Sequence, residues 1–304
     1  MGQSMPTSIT VVVSGASVTG QNFQAVADTF TVKGAVRDYD GAPLAGVRVT
    51  DGEQVAVTND IGQYTLSDIK AGSSTITATK AGYSLTPSSR TVAVPPDATG
   101  EDFTAYMAFT ASFPVGINLL SVPCFPVDDD PVTLFGTSDV ARWDPSASPA
   151  AYVTPASTTG LDVLTVVPGR GFFAKLRRSD LEIAGRPISA ATDNDGNRVF
   201  TLTLGPVWNM VGNPYTQPLA FANLEAATVG DIRPYGYVYD ATLGTYLLVA
   251  AEPGVNVART QVFAWEGMWL RTSGGSTTVK AKLPAEAASA SVRPQALDLG
   301  SEGW

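Results

Sequence analysis

Short runs of alternating apolar and polar residues recur along this chain, each closed by glycine, proline, asparagine or aspartate. Thr75-Ile76-Thr77-Ala78-Thr79, Val47-Arg48-Val49 and Tyr64-Thr65-Leu66 are examples. A period of two puts neighbouring side chains on opposite faces, so these runs predict half-buried β-strands. Between them lie Asp38-Tyr39-Asp40-Gly41, Pro43-Leu44-Ala45-Gly46 and Asn59-Asp60-Ile61-Gly62, whose residue types accept the left-handed angles that hairpin turns require. Six or seven strands fit between residues 29 and 106. Helix is confined to short pieces, Pro131 to Phe135 after the carboxylates Asp128 to Asp130, and Pro218 to Ala227.

Two internal repeats organise the pattern. ITVVVSGASVTGQNFQA (Ile9 to Ala25) matches RTVAVPPDATGEDFTA (Arg90 to Ala105), with Gly20, Phe23 and Ala25 lying 80 residues before Gly100, Phe103 and Ala105. The second copy closes a complete module; the first has only eight residues before it. Residues 1–28 are therefore expected to be terminal strands of a preceding or neighbouring sandwich repeat. Val11, Val13 and Phe23 are the donor-strand candidates, completed by a longer array or by another subunit. A weaker duplication follows. Gly116 to Pro126 parallels Val207 to Pro218, pairing Asn118 with Asn209, and Gly169 to Leu176 parallels Trp265 to Thr272. Asp144 to Gly171 spans 27 residues, as does Asp240 to Gly267. Residues 107–284 thus read as one pseudo-symmetric β domain with halves at about 107–190 and 198–284. Residues 285–304 read as a linker and the start of a further unit.

The motifs VKGAVRDYDGAPLAGVRV (Val32 to Val49), NDIGQYTL (Asn59 to Leu66) and ATKAGYSLTP (Ala78 to Pro87) make residues 29–105 resemble the carboxypeptidase regulatory-like domain, a prealbumin-like β-sandwich. The resemblance implies a scaffold or spacer without a catalytic site. Some related collagen-adhesin B-type domains contain a Lys–Asn isopeptide bond. Here alternation points Lys33 to solvent, so no such crosslink is expected. The duplicated region resembles the β modules that follow sandwich spacers in bacterial exported proteins. The fold class is accordingly all-β: an immunoglobulin/prealbumin-like sandwich plus a larger duplicated β domain.

Composition narrows function further. Charged residues are 15% of the chain against 29 glycines and 21 prolines, which favours short strands over long helices. A net charge of −9 repels phosphates, so nucleic acid is not an expected partner. No stretch approaches the ~20 apolar residues of a membrane helix, and the first eight residues lack the charged and apolar regions of a signal peptide. The one cysteine, Cys124, sits in an apolar run and reads as a buried thiol. The chain contains no histidine, which removes the usual general base and most zinc or iron sites.

Three groups are site candidates. Asp193, Asp195 and Asn197 in DNDGN carry oxygens at alternate positions, like the opening of a calcium loop, but a plain hairpin turn explains the same residues and the distal Glu is missing. Calcium is the one candidate cofactor. Trp143, Phe172, Phe173, Tyr237, Tyr239, Trp265 and Trp269 would form a carbohydrate-stacking platform if they reached the surface together. The two-residue spacing of Tyr237/Tyr239 and Phe263/Trp265 favours a shared buried face instead. The third group is the terminal strand set. Together these point to a non-catalytic extracellular or bacterial cell-surface protein of structural or adhesive type, a fibre subunit joining copies of itself by strand complementation. The alternative is a polysaccharide-binding accessory region of a larger secreted enzyme, in which Trp143, Trp265 and Trp269 stack on sugar.

Overall fold

The computed structural model describes residues 11–15, 17–19, 28–189 and 191–285. Within these, the first unit is a two-sheet sandwich. Its strands are β1 (Thr29–Asp38), β2 (Arg48–Thr50), β3 (Val55–Val57), β4 (Gln63–Lys70), β5 (Gly72–Thr79), β6 (Tyr83–Thr86), β7 (Arg90–Val94) and β8 (Phe103–Ser112). One sheet runs β3-β2-β5-β7, and the other places β1 between β4 and β8 with β6 on the far side of β8. The inward residues of the alternating runs, among them Val32, Val36, Leu66, Ile76, Val92 and Phe103, form one core. Lys33 lies on the exposed side of β1, as its place in the alternation requires.

Strand β8 does not end with the sandwich. Phe103 to Ala105 pair in parallel with Val36 to Asp38 of β1, and Met107 to Ser112 pair with the later strand β14 (Asp180–Arg186). At Met107 the handover happens within one residue, Tyr83 lying on one side and Gly185 on the other. Phe103 enters the sandwich core and Phe109 enters the next one. The division at residues 106 and 107 therefore falls inside a continuous strand, because alternation carries straight through it.

The second unit continues with β9 (Gly116–Ser121), β10 (Phe125–Pro126), helix α1 (Pro131–Phe135), β11 (Val140–Asp144), β12 (Ala151–Val153), β13 (Gly171–Leu176) and β14 (Asp180–Arg186). Its second half contains β15 (Ala191–Thr192), β16 (Arg198–Leu204), β17 (Trp208–Gly212), β18 (Leu219–Ala220), β19 (Leu224–Ala226), β20 (Ile232–Asp240), β21 (Thr245–Ala250), β22 (Gln261–Val262), β23 (Gly267–Thr272) and β24 (Thr277–Leu283). Each half pairs a four-stranded sheet, β12-β11-β13-β9 or β21-β20-β23-β17, with a second sheet built on β8 and β14 or on β16 and β24. Helix α1 forms where the sequence signals it. Asp130 accepts from the Val132 and Thr133 amides, Pro131 needs no amide partner, and Gly136 closes it in the left-handed region.

Pro218 to Ala227 is not helical. It forms β18, a 3-10 turn over Phe221–Asn223, and β19. Leu219 pairs with Val262 and Leu224 with Ala281, so tertiary pairing overrides a segment whose helical propensity is only a weak prior.

The duplication holds at the level of register. Ala174 sits between Asn118 and Val140 as Leu270 sits between Asn209 and Gly236. Asn118 and Asn209 are buried, and each donates through Nδ2 to carbonyls four and two residues back. Asn118 reaches Pro114 and Gly116, both at 2.9 Å; Asn209 reaches Gly205 at 3.1 Å and Val207 at 3.5 Å. The halves then exchange equivalent contacts. The Ser121 amide donates to the Trp265 carbonyl at 2.8 Å, and the Gly212 amide to the Gly169 carbonyl at 3.0 Å. Such reciprocity is the signature of a twofold relation. Near this pseudo-axis the equivalents Ser121 and Gly212 meet, and a Cβ on Gly212 would lie 2.0 Å from that of Ser121.

Gly212→Ala is therefore expected to destabilise the fold by about 1–3 kcal/mol through overpacking. Urea unfolding should show most of this loss recovered when Ser121→Gly is added, as expected for two residues in direct contact.

Candidate functional surface

The aromatic residues singled out in the sequence divide between two environments. Tyr235, Tyr237 and Tyr239 alternate along β20 and share a face. Turns opened by Asp144 and Asp240, whose carboxylates accept from Ser146 at 2.8 Å and Thr242 at 2.9 Å, fold the partner strands back. Tyr152 is thereby set opposite Trp143, and Tyr246 opposite Tyr239. Those ring pairs stand 5.2 Å and 5.4 Å apart, both edge to face. Across the two halves, Trp143 meets Trp269 at 6.1 Å and Phe173 meets Tyr239 at 5.9 Å, again equivalent pairs. Trp208 extends the chain of contacts from Trp269 to Tyr237.

This seam is neither a core nor an open platform. Trp143, Phe173, Tyr237, Tyr239 and Trp269 are half-buried, and the seam's outer members, Tyr152 and Tyr246, are each 46% exposed. Edge-to-face packing sets neighbouring rings nearly perpendicular, which sets ring edges against ring faces. The Arg271 guanidinium, 5.7 Å from the Trp208 ring centre, covers another. Phe172 is buried in the core of the first half, on the opposite face of β13 from Phe173.

Trp265 is not part of the seam. It is 7% exposed, lies in the core of the first half, and meets Phe113 edge to face at 6.3 Å. Its φ of 66° breaks the alternation, so Phe263 is exposed while Trp265 turns inward, and the two do not share a face. Gly169, its equivalent in the first half, is left-handed too, and a Cβ there would lie 2.4 Å from Leu202. Next to Trp265, Glu266 is paired with Arg259. Burial pushes this carboxyl above its ordinary value against the pull of that guanidinium. Arg142 is also mostly buried between the halves, donating to Met210 O at 3.2 Å, and burial lowers its pKa to about 10.

DNDGN forms the turn between β15 and β16. The Asp193 carboxylate accepts from the Asp195 amide at 3.1 Å, from the Asn197 amide at 2.9 Å and from the Asn197 side chain. Lys282 stands 3.4 Å from it and 2.7 Å from Glu225. A cation at Asp193 would have to displace this lysine. No group of three or more His, Cys, Asp or Glu residues suited to a metal occurs among the described residues. Asp128 caps the turn before Asp130, and Cys124 is buried with its thiol pushed up to about 12 by burial. Val11 and Val13 are exposed, at 39% and 67%, and outside any strand, and Phe23 lies outside the described residues, as does the segment after Ala285.

An open groove of about 820 Å³ runs between the sandwich and the second unit, lined by Lys80, Tyr83, Ser84, Leu85, Ser88 and Glu182. Ser84 donates to Glu182 at 3.3 Å, and Lys80 to the Ala45 carbonyl at 2.9 Å.

The carboxypeptidase regulatory-like domain family matches residues 31–106. A search of the curated proteins finds no match. Among solved structures, the Bacillus anthracis TIE protein aligns at 10% identity and a TM-score of 0.23, over 84% of this chain and 48% of its own. This chain thus spans about half the length of that protein. The major pilin subunit of Bacillus cereus, BcpA, aligns at 11% identity and a TM-score of 0.24, over 84% of this chain and 85% of its own. TM-scores of this size do not establish a shared fold.

The Asp193–Lys282–Glu225 cluster has a pH signature. Hydrogen bonds from Asn197 depress the Asp193 pKa, and Lys282 depresses that of Glu225. Depressed carboxyls add stability that is present above their unfolded values of about 4 and is lost as pH falls through the folded ones. The stability gap between the wild type and Lys282→Met should be constant from pH 5 to 8 and close below about pH 4 in urea titrations.

The sandwich topology, its single core and the family match agree in making residues 31–106 similar to a carboxypeptidase regulatory-like domain.

Proposed function

We propose that this chain is a non-catalytic structural component of a bacterial surface or extracellular assembly, a stiff β spacer rather than an enzyme. The observation that carries the reading is β8, hydrogen-bonded at one end in the regulatory-like sandwich and at the other in the duplicated unit. A flexible linker would let the units reorient; a strand paired in both sheets fixes them. The half-buried aromatic seam then serves to hold the two halves of the second unit together. No helix among the described residues is long and apolar enough to cross a membrane.

Copies join through residues 9–25. Val11, Val13 and Phe23 occupy the repeat positions of Val92, Val94 and Phe103, all three of which are buried in the sandwich core. A segment with that inward pattern is suited to complete a sandwich supplied by another copy or an adjoining module.

Dyes placed at Asp60→Cys and Thr242→Cys, with the buried Cys124 left in place, test the stiffness of the spacer. Single-molecule energy transfer should give one narrow distance distribution, whereas a broad or divided one would discard the rigid spacer. Deleting residues 1–28 should abolish self-association measured by light scattering while leaving the far-ultraviolet β signal intact. Assembly that survives the deletion rules out strand complementation.

A further inference from the structure

We infer that the sandwich is a mechanical clamp, the element of this chain that resists being pulled apart along its length. The inference rests on the spacer reading above and adds mechanical load to it. Strand β1 is zipped, in parallel, against residues 97–105. The Thr31 amide donates to Asp97 Oδ1 at 2.8 Å and the Lys33 amide to the Ala98 carbonyl at 2.9 Å. The Ala35 amide donates to Asp102 Oδ1 at 2.7 Å. In return the Ala98 amide reaches the Thr31 carbonyl at 3.0 Å and the Glu101 amide the Lys33 carbonyl at 3.1 Å. Beyond these rungs the regular ladder of Val36 to Asp38 against Phe103 to Ala105 begins.

Two carboxylates thus stand in where the 97–102 segment carries no carbonyl in place, so the row of bonds continues along most of β1. Gly34 permits the approach, since a Cβ there would lie 2.2 Å from the Glu101 carbonyl oxygen. The segment is anchored from behind, Tyr64 Oη donating to the Glu101 carbonyl and Arg90 Nε to the Asp102 carbonyl at 2.7 Å.

The direction of load follows from the strand order. Tension enters at the start of β1 and leaves along β8, which runs unbroken into the second unit. For parallel strands these pulls slide one past the other, so all the rungs are loaded at once. The halves of the second unit are built the other way. Met107 lies opposite Gly185, and Arg198 opposite Leu283, so in each half the chain enters and leaves at the same end of an antiparallel pair. Tension there parts one rung at a time.

Pulling the full chain between residues 28 and 285 in a force microscope should therefore open the second unit first, with a length gain of about 60 nm. The sandwich should open last, at a distinctly higher force, with a gain of about 25 nm. Moving the first attachment point to Asp60→Cys takes β1 out of shear and should abolish the high-force event in the same protein. Asp97→Ala combined with Asp102→Ala should lower the sandwich force and leave that of the second unit unchanged. Opening of the sandwich before the second unit, or a force indifferent to the attachment point, would overturn the clamp. With the narrow dye distance retained, that result leaves the rigid spacer standing, so the two readings fail separately.

Discussion

One strand belonging to two cores is the constraint around which the rest of this molecule is arranged. β8 contributes Phe103 to the sandwich core and Phe109 to the next, and the two burials share one backbone. The strand must keep its alternation across the handover, and Met107, between the two, is left at the surface. Each core restricts the rotation of β8 about its axis for the other. A joint of this kind costs little extra ordering entropy, because the shared residues are already fixed by both sheets.

The duplicated unit solves a second problem of the same sort. Each half has a sheet whose outer face is apolar enough to need cover, and the cover is the matching face of the other half. Close approach is made by glycine. A Cβ on Gly171 would fall 2.5 Å from the Val211 carbonyl oxygen, and one on its equivalent, Gly267, 3.0 Å from Leu119. With the backbones so near, large aromatic rings are left to fill the diverging edge of the interface, where packing edge to face suits their quadrupoles. The half-buried charges Arg142 and Glu266 lie in the same interface, each held by hydrogen bonds to the chain around it.

Much of this was legible in the sequence wherever the signal was local. The carboxylates Asp128 to Asp130 before Pro131 located α1. The equal spacing from Asp144 to Gly171 and from Asp240 to Gly267 held because both residues are geometric necessities, one opening a turn and the other admitting a neighbouring backbone. Tyr152 and Tyr246 were missed as seam members, although the Asp-opened turns set them opposite Trp143 and Tyr239. Other features were not legible because they depend on distant partners. Nothing in Pro218 to Ala227 reveals that Val262 and Ala281 will claim its backbone. Trp265 is buried, as the reading of these rings as core expects, but it does not share a face with Phe263, since a left-handed tryptophan is rare and alternation, the only guide available, assumes extended angles. The strand handover at Met107 leaves no mark at all, since a strand that changes partners looks like a strand that keeps them.

The pairing of Gly169 with Trp265 carries a consequence for how such a unit can change. Two identical halves could trade places, or pair with the same half of another molecule, because each would offer what the other accepts. Here one half presents a large ring and a place for none, and the other presents a cavity wall and no ring. A pairing of two second halves would bring together two tryptophans with a space for neither, and a pairing of two first halves would leave both spaces unfilled. The halves have become lock and key to each other, and the repeat that built the domain now prevents it from swapping partners with its own copies.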